Sequence, residues 1–129
     1  MKYFLFDHTG CLNRGCEAIV RGIMNILSRC DKMPSFCLSS YSPEDDAALE
    51  IENCAFKPRA LNNFEKALAT LDLKLNHSEY YSLKTAYSPV LKQAENCDIC
   101  LSIGGDTYCY GDNAPSRAVA RALHKKGKK

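Results

Sequence analysis

Apolar positions along this chain change their spacing several times, and each change marks an element. Residues 2–6 contain the unbroken run Tyr3-Phe4-Leu5-Phe6, closed by the turn formers Asp7-His8-Thr9-Gly10, and predict a short buried strand. From Gly15 the period lengthens. Cys16, Ile19, Ile23, Ile26, Leu27 and Cys30 recur at three- and four-residue steps, while Glu17, Arg21, Asn25 and Ser28 fall elsewhere, so the spacing predicts an amphipathic helix over 15–30. Asp31-Lys32-Met33-Pro34 ends it, and Ser35-Phe36-Cys37-Leu38-Ser39-Ser40 reads as a second strand. Strand, helix and strand in this order predict a parallel pair with a right-handed crossover, the first step of a doubly wound α/β sheet.

The same reading continues with decreasing regularity. Ser42-Pro43-Glu44-Asp45-Asp46 starts a short helix, with Ser42 as N-cap and Pro43 in the first turn, and residues 51–56 suggest a third strand closed by Lys57-Pro58-Arg59. Residues 60–95 look mainly helical. Leu61, Phe64, Leu68 and Leu71 share one face and Tyr80, Leu83, Tyr87 and Leu91 another, with Ser88-Pro89 expected to break or kink the second run and residues 72–79 left as an unassigned polar connection. Residues 96–103 form the last strand, Ile99, Leu101 and Ile103 alternating with Asp98, Cys100 and Ser102. After the loop that opens with Gly104-Gly105-Asp106, Asp112-Asn113 can cap a helix running through Val119, Ala122 and Leu123 to Gly127. The chain stops where an α/β protein would normally begin another strand, so residues 1–129 read as one Rossmann-like domain and as a fragment of a larger protein.

Composition changes this picture in two places. The net charge of +2 hides a tail, residues 117–129, with six basic residues and no acid; the eleven remaining Lys and Arg face all fifteen acids, leaving the body at −4. That distribution argues against a nucleic-acid binder, and cations suit the end of a helix. Eight cysteines would suggest a disulfide framework in a secreted chain. The first apolar run is too short for a signal peptide, and no stretch approaches the roughly 18 apolar residues of a membrane span. The expectation is therefore a cytoplasmic, non-transmembrane protein whose thiols pack as small apolar groups. Cys97-Asp98-Ile99-Cys100 has redox or metal spacing, but it lies in a strand, without a matching second pair. His8 is an isolated candidate acid or base.

Two loops follow the carboxyl ends of predicted parallel strands, the edge at which open α/β sheets bind ligands. In the first, Asn13, Arg14, Gly15 and Glu17 open a helix. Its free N–H groups suit a phosphate or carboxylate, Asn13 can bond a hydroxyl, and Arg14 can fork onto an anion. Equally, Asn13 can simply cap the helix and Glu17 pair with Arg21 one turn on. In the second, Gly104, Gly105, Asp106 and Tyr108 could set an acid against a sugar hydroxyl and a ring against a sugar face, or could form a tight turn with a capping acid. The dinucleotide and P-loop glycine fingerprints are absent from the sequence.

Leu12-Asn13-Arg14-Gly15-Cys16-Glu17-Ala18-Ile19, and Cys97-Asp98-Ile99-Cys100-Leu101-Ser102-Ile103-Gly104-Gly105-Asp106, resemble in order and strand context two stretches of the polysaccharide pyruvyl transferase family. The match covers the chain as the N-terminal half of such an enzyme. The resemblance implies a GT-B-like pair of Rossmann-type domains with the active site between them, the second domain lying outside this chain. It implies transfer of pyruvate from phosphoenolpyruvate to sugar hydroxyls as a ketal in cell-surface polysaccharide synthesis, with a saccharide or lipid-linked saccharide acceptor, no further cofactor and no metal. Asp106 then orients or deprotonates the acceptor, and Asn13, Arg14, Gly15, Glu17, Gly104, Gly105 and Tyr108 bind substrate. Cys16 stands where many members carry Asp, so no acid role carries over to it. This half alone is expected to be inactive. The alternatives are a non-catalytic carbohydrate- or anion-binding domain and a nucleotide-sugar glycosyltransferase-like domain.

Overall fold

The computed structural model describes residues 1–76, 86–104, 109 and 113–129. Its strands are β1 (Lys2–Phe6), β2 (Ser35–Ser40), β3 (Cys54–Pro58) and β4 (Ile99–Ser102). Its helices are α1 (Arg14–Cys30), α2 (Pro43–Ala47), α3 (Asn63–Asn76), α4 (Ser88–Gln93) and α5 (Ala114–Lys125), with a 3₁₀ turn over Ala94–Asn96. The strands form one sheet in the order β3-β2-β1-β4, every pair parallel. The chain thus winds outward from β1 through β2 to β3 and then returns to the other side of β1. That reversal leaves a crevice at the carboxyl ends of β1 and β4.

Period-two alternation sorts β1 between two cores. Tyr3 and Leu5 face α1, packing with Val20, Met24, Phe36 and Leu38. Phe4 and Phe6 face the opposite side, against Val90, Leu91 and Ala94 and against Val119, Ala122 and Leu123 of α5. A strand buried on both faces must be apolar throughout, which is why Tyr3-Phe4-Leu5-Phe6 has no polar interruption. β4 divides as its alternation predicts: Ile99 and Leu101 join the first core and Cys100 the second.

Several boundaries differ from the sequence reading, each for a local reason. The third strand begins at Cys54 rather than residue 51, because Glu50 and Asn53 adopt positive φ (50° and 58°) and turn the chain before it can pair. The last strand is shortened to Ile99–Ser102, since residues 94–96 close a 3₁₀ turn and Asp98 instead clamps β1, its N–H donating to the Lys2 carbonyl at 2.8 Å. Ser88-Pro89 interrupts the helical run as expected: Ala86 is helical, Tyr87 forms a turn, and a new helix, α4, starts at Ser88 with Pro89 in its first turn, where its missing N–H costs nothing. The buried stripe of α1 centres on Val20 and Met24, while Ile26, 63% exposed, lies off it.

Helix α3 departs furthest. It begins with a capping box in which the Asn62 side chain accepts from the Glu65 N–H (2.8 Å) and Glu65 accepts from the Asn62 N–H (3.0 Å), and it runs on to Asn76, through residues left unassigned by pattern. Yet Phe64, Leu68 and Leu71, spaced like a core face, are exposed, and only Ala69 of this helix is buried among the described side chains. Of the second apolar face, Leu91 is buried and Tyr87 half-buried; Tyr80 and Leu83 lie outside the described residues.

The basic tail proves structural at two positions. Lys126 pairs with Glu95 at 2.7 Å, and the Lys128 ammonium donates to the carbonyls of Glu95 and Cys97. The Lys129 carbonyl accepts from the Cys100 N–H at 2.8 Å. No helix among the described residues is long and apolar enough to cross a membrane.

Candidate functional site

The residues that meet at the carboxyl edge are those that leave the strands. Asp7 follows β1, Tyr41 follows β2, Arg59 follows β3, and Ser102 ends β4. Asp7 takes φ 65°, a left-handed conformation that an Asp tolerates better than most residues, and this turns its carboxylate back over the sheet edge. There it accepts from the Ser102 hydroxyl at 2.7 Å and from the Arg59 guanidinium at 3.2 Å. The Arg59 backbone N–H donates to the Ser40 carbonyl at 2.7 Å, and its guanidinium lies 4.8 Å from the Tyr41 ring and 5.0 Å from the Tyr87 ring. A cation held by a carboxylate and two π faces has few accessible rotamers, and the Arg59 side chain is only 10% exposed.

These groups line a cavity of about 200 Å³, whose remaining wall is Thr9 and the start of α5 at Asn113, Pro115 and Ser116. The first turn of a twelve-residue helix directs unpaired N–H groups and a partial positive charge outward. With the Arg59 guanidinium, that end presents the kinds of group that can bind carboxylate or phosphate oxygen, while Asp7 and the tyrosines are of the kinds that can meet hydroxyls and a ring face. A larger cavity, about 640 Å³, opens where strands begin, around Lys2, Tyr3, Ser35, Asn53 and Cys54. It lies away from the switch-point crevice, and its charged lining groups are Lys2, Lys57 and Lys92, with no carboxylate among them.

A second polar cluster lies behind the first loop. His8, Cys11 and Asp46 are buried (2%, 3% and 0% exposed). His8 Nε2 is 3.2 Å from Cys11 Sγ and 3.6 Å from Asp46 Oδ2; the Cys11 N–H donates to Asp46 Oδ1 at 2.7 Å, and the Ser40 hydroxyl donates to Asp46 Oδ2 at 2.6 Å. Gly10, at φ 120°, makes the bend that brings His8 and Cys11 together. Burial holds the His8 imidazole below its ordinary pKa, with the Asp46 carboxylate pulling partly the other way. A histidine depressed on folding binds its proton more readily when unfolded. The His8 contribution to stability is therefore fully present above pH 6.5 and is lost as pH falls from there towards the depressed folded value. Urea midpoints taken between pH 7.5 and 5 are expected to show this decline, and a His8→Gln variant that folds is expected to lack this component.

The residues singled out from sequence are placed as follows. Asn13 caps α1, its Oδ1 accepting the Gly15 N–H at 2.9 Å, and Gly15 leaves the space this needs, since a Cβ there would sit 3.2 Å from that oxygen. Glu17 pairs with Arg21 at 2.7 Å one turn on. Asn13, Arg14 and Gly15 are exposed at the helix start, and none of residues 13–17 lines the Arg59 cavity. Gly104 follows β4, which reaches Asp7 through Ser102, and the Ile103 N–H donates to the Phe6 carbonyl at 2.9 Å. Gly105, Asp106 and Tyr108 lie outside the described residues. Sequence reasoning missed Asp7, Tyr41, Arg59 and Tyr87. The available signal was positional for the first three, each being the first residue beyond a strand at the ligand-binding edge.

All eight cysteines are free thiols. Burial pushes Cys54 and Cys11 up to about 12, with neighbouring anionic groups adding to it; it pushes Cys37 and Cys100 to about 11 and also raises Cys97. The Cys97-Cys100 pair is thus poised against thiolate chemistry, as core thiols should be. Iodoacetamide at pH 8 is expected to modify the exposed Cys30 and Cys109 rapidly and to leave Cys11, Cys37, Cys54, Cys97 and Cys100 unlabelled until denaturant is added, as peptide mass mapping would show.

Comparison of the chain with protein-family models, with curated proteins and with solved structures finds no match.

Proposed function

We propose that this chain is the amino-terminal domain of a pyruvyl transferase acting on polysaccharide precursors, cytoplasmic and completed by a second Rossmann-type domain in a GT-B-like arrangement. The supporting observation is a convergence. The two stretches that resemble the family follow β1 and span β4, which pair in parallel with Phe6 opposite Ser102. Beside their carboxyl ends lies a small cavity that combines a fixed cation, a carboxylate, ring faces and a helix start.

In this reading Arg59 and the first turn of α5 hold the carboxylate or phosphate of phosphoenolpyruvate. A volume of about 200 Å³ suits a three-carbon anion better than a nucleotide sugar, because drug-sized ligands occupy pockets from about 300 Å³ upward. Asp106, four residues beyond the end of β4, orients or deprotonates the acceptor, and Gly104, Gly105, Tyr108 and the Asn13–Glu17 helix start contribute to substrate binding. Two sugar hydroxyl oxygens bond to the enol carbon as its bond to the phosphate oxygen breaks. One hydroxyl proton ends on the methylene carbon, making it methyl, and the other leaves with phosphate. Fixed positive charge around the departing phosphate is the contribution this wall makes to the barrier.

The test is phosphate release from phosphoenolpyruvate in the presence of saccharide acceptors, by the protein that carries this chain. Arg59→Met keeps the stem between the tyrosines and removes the charge, and should lower kcat/KM by about 10²-fold or more. Turnover of a nucleotide sugar in place of phosphoenolpyruvate would favour the glycosyltransferase-like alternative. Saccharide binding without turnover of either donor would favour a non-catalytic domain.

A further inference from the structure

We propose that His8, Cys11 and Asp46 form a buried binding site for one divalent transition-metal ion, zinc being the best match, which fastens the loop after β1 to α2. The inference is independent of what the Arg59 cavity binds.

Nε2, Sγ and a carboxylate oxygen are a borderline-soft donor set of the kind zinc takes, and the three atoms all lie within 4.8 Å of one another. Around a tetrahedral zinc ion, with bonds of about 2.0 Å to nitrogen and oxygen and 2.3 Å to sulfur, ligand atoms stand roughly 3.3–3.6 Å apart. The separations of 3.2 Å from Nε2 to Sγ and 3.6 Å from Nε2 to Oδ2 therefore need only small adjustments.

The outer contacts are already in place. The Cys11 N–H holds Oδ1 and the Ser40 hydroxyl holds Oδ2, while the Ser42 N–H donates to Ser40 Oγ at 3.0 Å, so the carboxylate is fixed before any ion arrives. Each carboxylate oxygen keeps a second lone pair for a metal.

Charge supplies the second argument. Asp46 is completely buried, and no Lys or Arg among the described residues pairs with it; its partners are an amide, a hydroxyl and an imidazole. A buried carboxylate needs a compensating charge. A divalent ion bound to one carboxylate, one thiolate and one neutral imidazole makes the cluster neutral overall. Binding exchanges the Cys11 thiol proton for the metal and releases it to solvent, because a coordinated thiol is deprotonated by the ion's own charge.

The experiment strips the protein with a chelator and titrates it with Zn²⁺ alone against a chromophoric competitor, then repeats the titration with Co²⁺ and records the absorption spectrum. One equivalent should bind, the thermal midpoint should rise, and the cobalt form should show a thiolate-to-cobalt charge-transfer band. Cys97→Ala/Cys100→Ala should leave all three unchanged, whereas Cys11→Ala and His8→Gln should weaken Zn²⁺ binding by at least about 10-fold. If those two variants do not fold, the cobalt spectrum of the unaltered protein decides. Absence of tight zinc binding, cobalt bound without a thiolate band, or loss of the site in Cys97→Ala/Cys100→Ala would overturn the proposal.

Discussion

Asp7→Ala is expected to cost about 3–5 kcal/mol, read from urea unfolding, because it removes one partner of a buried ion pair and leaves the other in place. The Arg59 side chain is 10% exposed and cannot retreat to water without vacating the space between Tyr41 and Tyr87. The Ser102 hydroxyl loses its 2.7 Å acceptor in the same step. A backbone term adds to these, since Ala must take the φ of 65° that Asp7 holds. Two companion variants separate the contributions. Asp7→Gly relieves the backbone alone and should recover about 1 kcal/mol relative to Ala. Asp7→Asn tolerates the left-handed conformation and keeps an acceptor for Ser102, so it should lose less than either. An Asp7→Ala protein within 1 kcal/mol of the parent would mean that the pair contributes little to holding the edge together.

Phe4→Ala should be similarly severe, about 3–5 kcal/mol, against the 5–15 kcal/mol typical of a whole domain. Phe4 has no exposed surface, stacks on Phe6 with centroids 5.8 Å apart, and fills the space between the central strand and both α4 and α5. Side chains of both helices close over the ring, so its removal leaves a cavity lined by Val90, Leu91, Val119 and Leu123. Phe64→Ser makes the informative contrast. It removes an aromatic ring from a helix with apolar spacing, yet Phe64 is 71% exposed, and the expected change is within about 0.5 kcal/mol. A large loss there would mean that the apolar face of α3 is covered in solution.

The contrast between Phe4 and Phe64 also marks what the sequence could reveal. β1, α1, β2 and β4 were readable because their periodicity and their burial have the same cause: each packs directly on the central sheet. In α3 the periodicity is equally regular, but spacing reports only that residues share a face and not that anything covers it. The start of β3 was misplaced because positive φ at Glu50 and Asn53 has no apolar signature.

The candidate site was legible in its location and not in its members. Parallel strands predicted which edge to inspect, and the loop after β1 and the exit of β4 do lie there. The Arg59 cluster was hidden because its parts are 52 and 95 residues apart from Asp7 in the chain and carry no mutual spacing. Asn13 and Glu17 were ambiguous for the opposite reason: the groups that would bind a ligand are those that satisfy a helix start, and here they have local partners.

The pairing of Arg59 with two aromatic rings also gives the cleft an optical label of its own. The chain has seven tyrosines and no tryptophan, so its near-ultraviolet absorption and emission arise from tyrosine. Tyr41 and Tyr87 both lie against the guanidinium that faces the cavity. Any anion that draws Arg59 toward itself changes the surroundings of both rings at once. Near-ultraviolet circular dichroism and difference absorption can therefore follow occupancy of the cleft directly, on unlabelled protein, whatever the ligand proves to be.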